Sequence, residues 1–185
     1  NGTQDAVIVK MPTNLASISW STYYGGSMDE TGNGIQLAPG GSLYVVGGTN
    51  SSGLSFGAGG VSTTYANNRD GFLIRLNAAT GSLVNGTYIG TVEYDQAYFV
   101  EVDDNNSVYV LGQTDGSMTI SPGCYGNPNS GLFIRKYNTN LSSLLWSTNV
   151  GAGSGNIELS PTAFLVSNCK DIYLSGWGGT VNAAN

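Results

Sequence analysis

A strand–turn–strand pattern that occurs three times limits what this chain can fold into. Each copy reads as two short strands joined by a turn, at residues 5–25, 70–90 and 130–151. A second pattern of the same kind follows each copy, at residues 34–49, 99–114 and 163–177. Because a repeated unit of this size cannot bury its own apolar face, such units fold by packing on one another.

Alternation of side chains within the pattern predicts β-strands. In the first copy Val7 and Val9 alternate with Ile8 and Lys10, which is the period of two that a strand requires. Proline, glycine and asparagine residues then supply the turns. No segment shows apolar residues spaced by three and four, so we expect essentially no helix.

Four short strands in each unit predict an all-β fold, a partial β-propeller built from tandem four-stranded antiparallel blades. The predicted units are residues 1–69, 70–129 and 130–185, the third being partial. A propeller ring usually contains at least about four blades, so we expect an incomplete ring whose partners are other blades of the same parent chain. A β-solenoid is the alternative, but its period is normally shorter.

Composition excludes several classes of partner. The chain carries 6 Lys and Arg against 12 Asp and Glu, a net charge of −6, which argues against binding to nucleic acid or to an anionic membrane. No apolar run has the length of a membrane-spanning helix, so membrane insertion is not expected. The chain has no histidine, which removes His-based catalytic triads and most zinc sites. The abundant uncharged polar residues favour a secreted protein.

Several motifs resemble a known family of repeats. DAVIVK at 5–10, STYYGG at 21–26, GIQL at 34–37 and LYVVGGT at 43–49 resemble the SBBP-type β-propeller repeats of large bacterial surface proteins. Residues 160–169 and 172–179 are similar to repeats in secreted proteins of the Bacteroidota, which often carry a sorting domain for type IX, gliding-motility-associated secretion. The resemblance implies an extracellular or cell-surface location and provides no catalytic residues.

Three functions remain open at this stage. The leading hypothesis is a non-catalytic module for adhesion, scaffolding or the binding of glycans or surface proteins, with its specificity in the loops at 25–33, 50–69 and 115–129. An alternative is part of a carbohydrate-active enzyme whose catalytic residues lie in other blades. A third is a cargo or partner of the secretion machinery.

Repeat-equivalent cations and aromatic residues are the most conspicuous candidates for a site. Lys10, Arg75 and Arg135 share one position in the sequence alignment of the copies. A ring of cations could bind a ligand, but we interpret them as structural, since repeat positions usually encode stacking. Their charged ends are then expected to pair with carboxylates such as Asp5, Asp70 or Asp95.

Trp20 and Trp146 also share a position, which Asn85 fills in the middle copy. Aromatic residues that recur at the period of a blade more often pack between blades than offer a platform for a sugar ring. We therefore interpret both tryptophans as structural.

Cysteines and acidic loops give the remaining predictions. Cys124 and Cys169 are the only cysteines, and in an exported domain they suggest one disulfide; the alternative is that the connector holds Cys124 too far away. Residues 103–106 lack the spacing of a calcium loop and are interpreted as a hairpin turn. No cofactor is expected, although the acidic loops at 28–30 and 93–95 leave a weak calcium site open.

Overall fold

A computed structural model describes residues 2–178 and contains twelve β-strands in that range, with no helix. No helix that could cross a membrane therefore occurs in this part of the chain. The strands are β1 (Ala6–Lys10), β2 (Trp20–Tyr24), β3 (Glu30–Leu37), β4 (Ser42–Thr49), β5 (Asp70–Asn77), β6 (Leu83–Ile89), β7 (Asp95–Val102), β8 (Val108–Thr114), β9 (Leu132–Tyr137), β10 (Leu144–Val150), β11 (Leu159–Val166) and β12 (Ile172–Gly178).

The strands form four antiparallel sheets, which we name by their strands. Two of them have four strands, in the orders β3-β4-β5-β6 and β10-β9-β8-β7, and the other two are the hairpins β1-β2 and β11-β12. The all-β prediction is therefore confirmed.

Sheet membership differs from the predicted units. The boundaries drawn at 69/70 and 129/130 fall between β4 and β5 and between β8 and β9, yet each of these strand pairs is hydrogen-bonded, with Val45 opposite Ile74 and Leu111 opposite Ile134. Each four-stranded sheet thus joins the second hairpin of one predicted unit to the first hairpin of the next.

The central strands of each four-stranded sheet, β4 and β5 in one and β8 and β9 in the other, are buried on both faces. On β4, Tyr44 and Val46 point into one apolar cluster and Val45 into another, because successive side chains of a strand point to opposite faces. The first cluster lies between sheets β3–β6 and β7–β10, the second between hairpin β1-β2 and sheet β3–β6, and a third between sheet β7–β10 and hairpin β11-β12. The sheets therefore pack on one another in chain order.

The two long connectors run along sheet edges. Residues 50–69 follow β6, where the Ala58 amide donates to the Val84 carbonyl at 3.2 Å and the Tyr88 amide to Ser62 at 2.9 Å. Residues 115–129 follow β10 in the same way, with the Ser121 amide donating to Ser147 at 2.9 Å. The connectors thus cover edges that would otherwise be open to another strand.

Residues 54–56 and 118–120 of the connectors form no strand. Instead, these segments are irregular and insert Leu54, Phe56 and Met118 into the cores. The connectors therefore contribute to the cores through apolar side chains and not through strand pairing.

Candidate functional site

Lys10 and Trp20 lie opposite each other on β1 and β2 and hold a turn of the next sheet. The Lys10 ammonium donates to the Ala78 carbonyl at 3.0 Å, and the Trp20 indole N–H donates to the same oxygen at 3.2 Å. The indole ring also lies over Gly81, where a Cβ would come within 2.7 Å of it. The pair therefore fixes the β5–β6 turn on hairpin β1-β2.

Arg75 and Asn85 likewise fix a turn of the sheet that follows their own. They lie opposite each other on β5 and β6, and Arg75 Nη1 donates to Asn140 Oδ1 at 2.8 Å while Nε donates to Ser42 at 2.9 Å. Asn85 Nδ2 donates to the Asn140 carbonyl. Because Asn140 lies in the β9–β10 turn, these groups tie sheet β3–β6 to sheet β7–β10.

Arg135 does not occupy the position of Arg75. The strand register places Arg135 opposite Ser147, and it places Lys136 opposite Trp146. The alignment of Arg135 with Lys10 and Arg75 was thus wrong by one residue. The sequence contains a signal for the correct alignment: Asn77 follows Arg75, and Asn138 follows Lys136, at the same spacing. The side chains of both asparagines accept hydrogen bonds from amides of the following turn.

A carboxylate partner was predicted for Lys10, Arg75 and Arg135, but the residue that forms such an ion pair is Lys136. Its ammonium donates to Asp103 Oδ2 at 3.2 Å and to the Tyr109 hydroxyl at 2.6 Å, and it lies 4.6 Å from the centre of the Tyr109 ring. Trp146 meets the same ring edge-on at 5.9 Å. Lys10 and Arg75 instead donate to neutral oxygens, because the turns they contact present carbonyl and amide groups.

Arg135 lies beside an aromatic ring instead. Its guanidinium carbon is 5.9 Å from the centre of the Phe133 ring. The contact is at the outer limit of a cation–π interaction, and it lies within a single strand. Although burial has the larger effect and raises the pKa of Asp95, the positive charge of Arg135 lowers it.

Carboxylates in the predicted acidic loops are used as internal acceptors. Glu30 accepts from the Gly26 amide at 2.7 Å and from Thr49 at 2.6 Å. Asp29 accepts from the Thr3 and Gln4 amides, and Asp95 accepts from Thr91. Within residues 2–178 no group of three His, Cys, Asp or Glu side chains is placed to hold a metal ion. Residues 103–106 form the β7–β8 turn, closed by the Asn106 amide on the Asp103 carbonyl at 2.9 Å.

Asp70 is fully buried at the start of β5, and one of its oxygens has no hydrogen-bond partner. Burial, with the charge of Asp95 as a smaller cause, raises the pKa of Asp70 from 3.8 to about 6, although the Ala66 amide donates to its other oxygen at 2.7 Å. Burial raises the pKa of Asp95 as well. The folded state therefore favours the protonated form of Asp70. The free energy of unfolding is expected to fall as the pH rises from about 4 to 6.

We expect Asp70→Asn to remove this dependence of stability on pH. The amide keeps an acceptor for Ala66 and carries no charge, so the variant should exceed the wild type by about 2–3 kcal/mol in free energy of unfolding at pH 7 and by little at pH 4. Urea unfolding at the two pH values measures the difference. Asp104→Asn is the control, since that side chain is 64% exposed. Equal gains for Asp70→Asn at pH 4 and pH 7 would contradict the assignment.

The predicted disulfide is not formed: Cys124 and Cys169 are both free thiols. Cys124 lies in the connector that follows β10, at one edge of its sheet. Cys169 lies in the β11–β12 turn, and β11 packs over β7 and β8 towards the other edge. The two cysteines therefore lie towards opposite edges of the sheet, so the connector holds Cys124 away from Cys169, which was the alternative to a disulfide.

A cleft at the β1-β2 end of the stack is lined mostly by apolar residues. It has a volume of about 280 Å³ and is lined by Val9, Lys10, Met11, Trp20, Ile35, Leu37, Leu43 and Ala78. Of its lining residues only Lys10 is charged, and Lys10 already donates to Ala78. The cleft is suited to apolar side chains rather than to an ionic substrate.

No protein-family model matches the chain, and no curated protein sequence matches it significantly.

Proposed function

We propose that this chain is a segment of a β-propeller that serves as a non-catalytic scaffold and binding module of a secreted or cell-surface bacterial protein. The sheets stack in chain order, and the central strands of each four-stranded sheet are buried on both faces. Face-to-face packing of four-stranded antiparallel sheets is the arrangement that propeller blades adopt. The resemblance to SBBP-type repeats of the Bacteroidota supports the extracellular location and an export route of type IX.

One observation carries the non-catalytic part of the proposal. The cations and aromatic residues most suited to a ligand site, Lys10, Trp20 and Arg75, donate instead to turns of the following sheet. The buried carboxylates accept from backbone amides of nearby loops. Side chains engaged in this way stabilise sheet–sheet contacts and leave the exposed loops free for binding.

Incubation of the full chain with a panel of bacterial and plant polysaccharides tests this proposal. We expect no release of reducing ends, while affinity electrophoresis on the same panel detects any binding. Turnover that disappears in Glu93→Gln or Asp104→Asn, two substitutions at exposed carboxylates, would show an enzyme and contradict the proposal. The two variants, purified in the same way as the wild type, also serve as the control for contaminating hydrolases, whose activity would remain in all three samples.

A further inference from the structure

A polar cleft lies where the β9–β10 turn meets sheet β3–β6. It has a volume of about 330 Å³, at the lower end of the range for small-molecule sites. Arg75 and Asn85 line it from the sheet, Gly59 lines it from the connector beside β6, and Asn140 and Ser142 line it from the turn. Three separate parts of the chain therefore converge on this cleft.

The cleft is present because asparagine stands where two other hairpins carry tryptophan. In the strand register Asn85 takes the place of Trp20 on β2 and of Trp146 on β10. The Trp20 ring lies over Gly81 of the β5–β6 turn, where an added Cβ would meet it at 2.7 Å. Ser142 is the corresponding residue of the β9–β10 turn, since each of the two residues precedes the carbonyl that closes its turn. Asn85 is too small to cover Ser142 as an indole would, so a space is left between the two sheets.

A positive charge in the cleft has no acidic partner. Within residues 2–178 no carboxylate lies within 4.0 Å of the half-buried Arg75 guanidinium. Two of its nitrogens, Nη1 and Nε, donate to the neutral side chains of Asn140 and Ser42, and in the same part of the chain Nη2 donates to no protein acceptor. Arg75 therefore fixes the turn and still has donors left. Because the planar guanidinium matches a carboxylate, the cleft favours an anionic ligand.

The other polar groups of the cleft are mostly donors. Asn140 accepts from Arg75 through its Oδ1, and its amide N–H groups donate to no acceptor in the described residues. The Ser142 hydroxyl accepts from the Asn138 side chain at 2.9 Å, so its own proton is free to donate. The exposed side chain of Val84 adds an apolar surface. A ligand with several oxygen acceptors, one of them ionised, and with a C–H face matches this combination.

We propose that this cleft binds one acidic sugar unit, a uronic acid whose carboxylate pairs with Arg75. The hydroxyl and ring oxygens of the sugar accept from Asn140 and Ser142, and its C–H face packs on Val84. This site rests on the proposed binding module and gives that module a ligand class. The net charge of −6 disfavours densely charged polyanions, so we expect a uronic acid within an otherwise neutral glycan.

Titration of the full chain with sodium glucuronate, followed by NMR, tests the site. We expect a dissociation constant on the order of 1 mM, as is usual for a ligand of this size in an open cleft. The largest shifts should be those of the Arg75 Nε–H and the Asn140 side-chain amide. Glucose, sodium acetate and sodium sulfate should each bind at least about tenfold more weakly, because each lacks either the charge or the sugar ring.

Asn85→Trp should close the cleft with the side chain that the other two hairpins carry. The new indole can donate to the Asn140 carbonyl, as the Trp20 indole donates to Ala78, so we expect the fold to be retained. Glucuronate binding should weaken at least about tenfold, because the ring occupies the space of the sugar. Urea unfolding of the variant checks that it is folded.

Arg75→Gln should raise the dissociation constant for glucuronate at least about tenfold, through the loss of a charge-assisted hydrogen bond. Binding of glucose should not change. Arg69→Gln is the matched control for removal of a positive charge. Both terminal nitrogens of Arg69 already donate, to Asn50 and Thr31, so this variant should bind glucuronate as the wild type does.

The outcomes separate this site from the proposed function. Absence of glucuronate binding, or binding that a folded Asn85→Trp variant retains, overturns the site and leaves the non-catalytic module in place. Acetate or sulfate bound as tightly as glucuronate would mean an anion site without selectivity for a sugar, and glucose bound as tightly would mean that the charge is not used. Either result overturns the site. Turnover on the polysaccharide panel overturns the proposed function, whether or not glucuronate binds.

Discussion

We expect Leu141→Ala to lower the free energy of unfolding by about 2–5 kcal/mol, the range for removing a fully buried leucine from a packed core. Leu141 is completely buried in the cluster between the two four-stranded sheets. Its turn is also held by Tyr44 and Arg75 of the neighbouring sheet. The substitution leaves a cavity at the contact between these sheets, so it weakens their association rather than the strands themselves.

Leu15→Ala provides a matched control for this prediction. Leu15 has the same turn conformation and the same two preceding residues, but its side chain is exposed to solvent. Measured by urea unfolding, Leu15→Ala should change the free energy of unfolding by less than about 0.5 kcal/mol. Equal losses for the two variants would mean that turn conformation, and not burial between sheets, determines the effect.

Gly47→Ala should be the most damaging single methyl addition in β4. A Cβ on Gly47 would lie 1.8 Å from the Thr31 carbonyl oxygen and 2.7 Å from the Phe72 ring. Since the oxygen belongs to the backbone of the adjacent strand, β3 and β4 would have to separate. We expect a loss of about 3 kcal/mol in free energy of unfolding, the upper end of the usual cost of overpacking.

Gly53→Ala is the matched control for the added methyl group. A Cβ on Gly53 meets no atom within 4 Å, and its φ angle is not positive. We therefore expect no loss at this position. A Gly47→Ala variant as stable as Gly53→Ala in thermal and urea unfolding would be incompatible with the close approach of β3 and β4.

Local features of the fold were accessible from the sequence. Alternating residues located strands such as β1, and Pro and Gly located turns such as the one after Leu37. The strand with which each hairpin pairs could not be predicted, because β4 and β8 are buried on both faces and carry no alternation that would point to one neighbouring strand. The apolar side chain of Phe56 could not distinguish a strand from an irregular connector, because burial selects the side chain without fixing the backbone.

The candidate site was predictable only in part. The sequence identified Lys10, Arg75, Trp20 and Trp146 as positions worth examining, but it gave Arg135 where the structure has Lys136. Adjacent basic residues cannot be assigned to a face without the register, and a shift of one residue moves a side chain to the other face. The unequal lengths of the copies hid that shift. The function of the Leu141 turn was missed altogether, because its burial depends on a neighbouring sheet.

Nuclear Overhauser contacts between strand backbones test the account most directly, because it holds that each sheet is completed across the boundary between predicted units. Contacts between β4 and β5 and between β8 and β9 are expected, with Val45 opposite Ile74 and Leu111 opposite Ile134. Contacts that pair β4 with β1 or β2 instead would make each unit a sheet of its own and would contradict the account.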